Sequence, residues 1–275
     1  MSNPLLVETV VLWLAIGFYV VATIMNVYGL IFNKEKAERT SYAVMFAGLV
    51  VHGTALVYRW QYSGHGPYMT RYEVLSSNAW VGLFLFSVFV RIFPRVRVTS
   101  MVVFPAVFLL TALGLFMEPG IKKLPPSLRS VWLVLHVTFY KIALGTLLIA
   151  LGFSVFYLLR RRTAADWLRK LPEQASLDLY AYRFVGFGFV FWAIAMLAGS
   201  IWAYQSWGRF WGWDPVEIWS LVTWFLFGMY LHLRRFHGWQ GERAAWFYLF
   251  CFFVSIVAIF FTPLLESSIH SAYFQ

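Results

Sequence analysis

The chain has 275 residues, of which 61% are hydrophobic and only 12% charged, with a mean hydropathy of +0.68 and a formal net charge of +10. A soluble domain carries about 25% charged residues, so this composition excludes an ordinary soluble enzyme and implies an all-α, polytopic membrane protein. The single cysteine, Cys251, excludes an internal disulfide and a CxxC redox pair, so any thiol chemistry here must use thiols brought by another protein.

Met1 to Glu8 has neither a basic n-region nor an A-x-A site, so the first apolar run reads as a retained span. Runs of about 20 apolar residues mark eight spanning helices, at roughly 9–32, 41–60, 74–93, 98–117, 130–159, 180–204, 216–234 and 244–265. The connecting pieces Trp60–Glu73, Glu118–Arg129 and Arg160–Leu179 are too short to bury cores of their own, so 1–275 reads as one membrane domain. Alternate connections are basic. Lys34, Lys36, Arg39, Arg91, Arg95, Arg97, the Arg160–Arg162 run, Arg169, Lys170, Arg183, Arg234, Arg235 and Arg243 account for 15 of the 22 basic residues. The opposite connections hold Arg59, Arg71, Lys122, Lys123, Arg129 and Arg209, while Lys141 falls inside a span. The bias places the first set on the cytoplasmic side and both termini outside. The positive charge is thereby a topology signal, with membrane lipid as its surroundings and no call for nucleic acid.

Between the sixth and seventh spans lies WAYQSWGRFWGWDPVEIWSLVTW, residues 202–224, with six of the 14 tryptophans: Trp202, Trp207, Trp211, Trp213, Trp219 and Trp224. It reads as a short loop at the outer surface. Indole rings offer flat apolar faces and one N–H donor each, and Gly208 and Gly212 allow close backbone approach. The combination suits a planar, mostly apolar ligand held at the membrane boundary. An interfacial aromatic belt is the bland alternative, but a belt scatters its rings over many helix ends. Asp214 and Pro215 read as the cap and first residue of the seventh helix, with Glu217 completing a D-x-x-E capping box. Arg209 suits a carboxylate partner such as a propionate.

The topology sorts the histidines. His136, near the outer end of the fifth span, and His270, just past the eighth, share a side with the Trp-rich stretch. Two imidazoles on opposite faces of a haem iron form an axial pair, and aromatic walls would hold the macrocycle. Two unrelated polar residues at helix ends is the competing reading. His232 lies toward the inner end of the seventh span and would serve a separate site, or else snorkel beside Arg234 and Arg235. His52, in the second span, is either functional or a buried, hydrogen-bonded imidazole. His65 and His237 sit beside glycines in loops and read as solvated.

The stretch WGRFWGWDPVEIWSLVTW resembles the tryptophan-rich "WWD" signature of haem-handling membrane proteins. With GHGPYMTRYEVLSSNAW at 64–80, VWLVLHVTFYKIALG at 131–145, YLHLRRFHGW at 230–239 and IHSAY at 269–273, nearly the whole chain is similar to the CcsA/ResC family of system II cytochrome c biogenesis. The resemblance implies a haem b substrate held on the outer side between His136 and His270, over Trp207, Trp211, Trp213, Asp214 and Arg209. It implies a second haem site at His232, completed by a ResB-type membrane partner. It implies presentation of haem for thioether attachment to the CxxCH thiols of apocytochrome c, in a bacterial inner membrane or a thylakoid membrane. The chain would supply position and protection rather than a nucleophile. A haem transporter and a b-type electron-transfer subunit are the alternatives. One departure stands out: Val216 replaces the Lys usual after Asp-Pro, giving W-D-P-V-E, which looks more like the much longer system I subunit CcmF.

Overall fold

The computed structural model describes residues 4–163, 165–262 and 265. Among them there are no strands, and eight helices are long and apolar enough to cross a membrane. They are α1 (Pro4–Ile31), α2 (Glu35–Ser63), α3 (Arg71–Ile92), α4 (Ser100–Leu115), α5 (Val131–Arg162), α6 (Gln174–Trp207), α7 (Pro215–Phe236) and α8 (Glu242–Ile256). A 3₁₀ turn at Pro94–Thr99 extends the fourth span and a π turn at Val257–Phe261 extends the eighth. The all-α, eight-span expectation holds. Helices run past the apolar runs at both kinds of end: α1 starts at Pro4, α2 at Glu35 and α6 at Gln174, and α5 continues through Arg160–Arg162. Backbone hydrogen bonding does not stop where the apolar side chains do.

The chain divides into two compact units, one of residues 1–124 and 164–171, the other of 125–163 and 172–275. In the first, α1 packs on α2 and α4, and α3 on α4. Polar side chains pin these helices because a donor buried in an apolar surrounding must find an acceptor. Asn26 donates to Ser41 Oγ (3.1 Å) and accepts from Ser100 Oγ (2.9 Å), joining α1, α2 and α4. His52 is fully buried between the Tyr19 and Ser76 hydroxyls, 3.1 Å from Nδ1 and 2.8 Å from Nε2. Hydroxyls donate or accept as needed, so a neutral ring is satisfied there. Of its two readings, His52 takes the buried, bonded one.

The end of this unit that carries Gly64–Thr70 is built on Arg59. Sequence placed Arg59 in an outer connection, but it lies inside α2 and is 1% exposed. Its Nε donates to Glu73 (2.6 Å), and its other nitrogens donate to Glu8 (3.0 Å), to the Tyr62 hydroxyl, and to the carbonyls of Pro119 and Gly120. The guanidinium fork suits such a junction, since its five N–H groups are fixed in a plane. Glu73 also closes a capping box with Thr70 at the start of α3. His65, expected to be solvated, is buried, with Nδ1 2.8 Å from Gly66 O and Nε2 3.0 Å from Lys122 O. In the same loop, burial and the Glu73 carboxylate hold the Tyr68 phenol above its ordinary pKa.

In the second unit α5 packs along α6 and against α8, and α7 against α6 and α8. Trp192 is buried at its centre; its Nε1 donates to Ser220 Oγ (3.1 Å), which also bonds the Tyr140 hydroxyl, so α5, α6 and α7 meet at one hydroxyl. Cys251 is buried on α8, with Sγ 3.7 Å from Leu226 O. A thiol so placed is a packing group.

Candidate functional site

The Trp-rich stretch is not one loop. Trp202 and Trp207 belong to the last turns of α6, Trp219 and Trp224 to α7, and only 208–214 connects the helices. Gly208 ends α6 in the left-handed conformation (φ +73°), its N–H returning to Tyr204 O at 2.9 Å. Trp213 also adopts positive φ (+57°), without glycine's freedom, and its side chain is 69% exposed. A non-glycine residue in that region costs about 1–3 kcal/mol and persists only where its surroundings impose it. Here the surroundings are Glu217, whose Oε2 accepts from Gly212 N (2.8 Å) and Asp214 N (3.2 Å). Asp214 is buried, caps α7, and accepts from Val216 N at 3.0 Å. The expected D-x-x-E capping box is present. Because Val216 contributes through its backbone N–H, its replacement of the usual Lys leaves the cap intact.

The Arg209 guanidinium folds over Gly212, where a Cβ would come within 2.8 Å of it. Glycine is required at 212 for that contact, and Arg209 itself stays exposed. Trp211 stands edge-on to Trp213 (centroids 6.0 Å apart, 85° between planes), and the buried Trp211 Nε1 has no hydrogen-bond partner. Trp202 meets Trp207 edge-on at 4.8 Å, and Tyr204 stacks on Phe210 at 4.4 Å. Trp202 Nε1 and Ser206 Oγ both donate to Ser127 O (3.0 and 2.9 Å), fixing the end of α6 to the segment leading into α5.

That segment delivers His136. Its half-buried ring lies against α6, with Nδ1 2.9 Å from Ala195 O. Its centroid is 6.2 Å from that of Trp202 and 4.9 Å from Tyr140. Gly199 makes the approach possible, since any Cβ there would overlap the imidazole. A carbonyl only accepts, so the Ala195 contact places the proton on Nδ1 and the lone pair of the neutral ring on Nε2. This is the arrangement in which backbone fixes the tautomer and angle of a metal-ligating histidine.

The structure thus brings His136, Trp207, Trp211, Trp213, Asp214 and Arg209 to the end of the unit where α6 passes into α7. His270 lies outside the described residues. His232 is exposed on α7, 17 residues beyond Pro215 and therefore about 25 Å along the helix from the loop. It belongs to the other end of the unit, as its position in the sequence implied. What sequence reasoning missed there is His237, exposed as expected, whose ring centroid lies 5.2 Å from that of His232. Gly199 was missed too. A small residue in an apolar run gives no signal until the helix packed against it is known.

Fold and site define a polytopic α-helical membrane protein that carries, at one end of a four-helix unit, an aromatic loop beside an oriented imidazole. A sequence model of the cytochrome c assembly protein family matches residues 68–270, and the chain belongs to that family. Among its relatives, the cytochrome c biogenesis protein CcsA of Chlamydomonas reinhardtii is 36% identical over 197 residues, 69% of this chain and 56% of that protein. The aligned part is thus less than two thirds of that relative's own length. CcsA of Chlorella vulgaris is 30% identical over 97% of this chain and 92% of its own, and CcsA of Prochlorococcus marinus (strain MIT 9515) 30% over 88% and 86%. Among solved structures, the cytochrome c haem lyase CcmF superposes on the whole chain with a TM-score of 0.70 at 16% identity, using 49% of its own length. That likeness speaks for the fold alone.

Proposed function

We propose that this chain is the haem-handling subunit of a cytochrome c synthase. It binds haem b as a substrate at the α6–α7 end and presents it to the CxxCH thiols of an apocytochrome c. The observation that carries this reading is His136: an imidazole with its Nδ1 proton committed to Ala195 O, seated on Gly199, beside the loop that carries Trp211 and the exposed Trp213.

The donor set fits one axial position. His136 Nε2 is the ligating atom, and His270 supplies the opposite face. Trp207, Trp211 and Trp213 cover the flat faces and keep water off. Arg209 pairs with a propionate, and Asp214 holds the loop that carries these rings. Bound there, the substrate offers vinyl groups, across each of which a thiol adds: sulfur bonds one carbon and the thiol proton goes to its neighbour. The apocytochrome brings both thiols, in keeping with the buried Cys251. The chain contributes position, which is worth several kcal/mol in a bimolecular addition. In this reading 1–275 works as one membrane domain, with the Trp loop and both termini on the outer side of a bacterial inner or thylakoid membrane. A ResB-type membrane partner completes the complex and supplies the second ligand to a separate haem at His232.

The test is maturation of a reporter cytochrome c. His136→Ala should abolish it, and added imidazole should restore part of it by filling the vacant ligand position. Full activity in His136→Ala ends the proposal. Haem retained on the purified chain after incubation with apocytochrome would instead mark an electron-transfer subunit.

A further inference from the structure

At the far end of α7 two imidazoles stand together. His232 lies on the last turns of the helix and His237 is its terminal cap, with ring centroids 5.2 Å apart and 49° between planes. Both side chains are exposed. The turn that carries His237 is fixed from both sides. His237 N and Trp239 N both donate to Leu233 O (3.2 and 3.1 Å), with Gly238 at φ +63° reversing the chain. Beyond it, Gly241 N donates to Asp178 Oδ1 (2.9 Å), the same carboxylate that takes two bonds from Arg234 (2.5 and 2.8 Å). A bidentate Arg–Asp pair, with both side chains largely buried, thus anchors the turn to the start of α6.

The separation suits two imidazoles on one ion. With metal–nitrogen bonds of about 2.0 Å and a ring centre about 1.15 Å behind the ligating nitrogen, two imidazoles on one tetrahedral ion have centres about 5.1 Å apart. On opposite faces of a porphyrin iron the same bonds place them about 6.3 Å apart. The observed 5.2 Å lies close to the first value.

The geometry points to His232 and His237 as a two-imidazole site for a first-row transition-metal cation, of the class of Zn²⁺ or Cu²⁺, with water in the remaining positions. Neutral imidazole suits these ions. With two imidazoles as the protein ligands, the remaining positions go to water and the ion exchanges readily. Arg234 is neutralised by Asp178, which leaves the exposed Arg235 as the neighbouring positive charge on α7, and salt screens it. Such a site is distinct from haem handling, yet a cation bound there occupies the imidazole that the proposed inner haem needs.

The test uses the full chain in detergent, free of any polyhistidine tag, titrated with Cu²⁺ and read by electron paramagnetic resonance, with Zn²⁺ as competitor. One copper equivalent with nitrogen hyperfine structure from two imidazoles is expected. His232→Ala and His237→Ala should each weaken it about tenfold or more, while His136→Ala leaves it. Helical circular dichroism checks that each variant is folded. Copper binding unchanged in His237→Ala overturns the inference, as does a signal lost in His136→Ala. Haem content separates this from the functional reading. His232→Ala losing copper with no fall in haem content removes the inner haem and leaves the metal site. Haem lost in both variants with copper kept does the reverse.

Discussion

Two polar constructions in this molecule make opposite use of the same chemistry. Around Arg59 the first unit buries a guanidinium, two carboxylates, a phenol and two carbonyls, all within hydrogen-bonding contact. In the Trp loop of the second unit an indole N–H is buried without a partner, a tryptophan holds positive φ, and large rings face outward. In the first, every nitrogen of Arg59 finds an acceptor, and the one neighbouring exception is the buried Tyr72 hydroxyl. The second breaks several local rules, and is held in that state by Glu217 and Asp214. A saturated network is a clamp, whereas strain and exposure kept in place by a cap suit a surface that meets something else.

The largest effect falls on Arg59. Arg59→Met leaves Glu8 and Glu73 buried without a counter-charge, at about 3–5 kcal/mol. Protein yield and protease resistance should collapse, and maturation should fall in the same proportion. Normal levels of an inactive protein would mean that the network is functional instead. Next comes Glu217→Ala, which strips the acceptor from two loop N–H groups and costs about 2 kcal/mol locally. The loop should become protease-sensitive and haem content drop while membrane insertion persists; haem retention at the level of the unaltered protein would separate the loop from the ligand. Trp213→Gly relieves the left-handed strain by about 1 kcal/mol. Thermal stability should rise slightly while maturation falls, and a variant that gained in both would show the ring to be dispensable. The smallest effect belongs to Val216→Lys. Because the cap uses the backbone N–H, stability should move by less than about 0.5 kcal/mol with haem content unchanged.

Sequence alone determined whatever depends on neighbours along the chain. Apolar run length gave eight helices, since a span must satisfy its own backbone in lipid. The D-P-V-E order gave the cap of α7, because a capping box closes within one turn. Tertiary structure decided what joins distant positions. His65 looked solvated beside its glycines, but the carbonyl of Lys122, 57 residues on, receives it. Arg59 looked like a loop charge, but Glu8, 51 residues earlier, takes it into the interior. His136 is oriented by a carbonyl 59 residues away and admitted by the missing side chain of Gly199. Even the His232–His237 pair, close in sequence, depends on Asp178 to fix the turn between them and α8. A helix fixes the direction of its side chains only relative to its own axis; which carbonyl or carboxylate stands opposite is set by the helix packed against it.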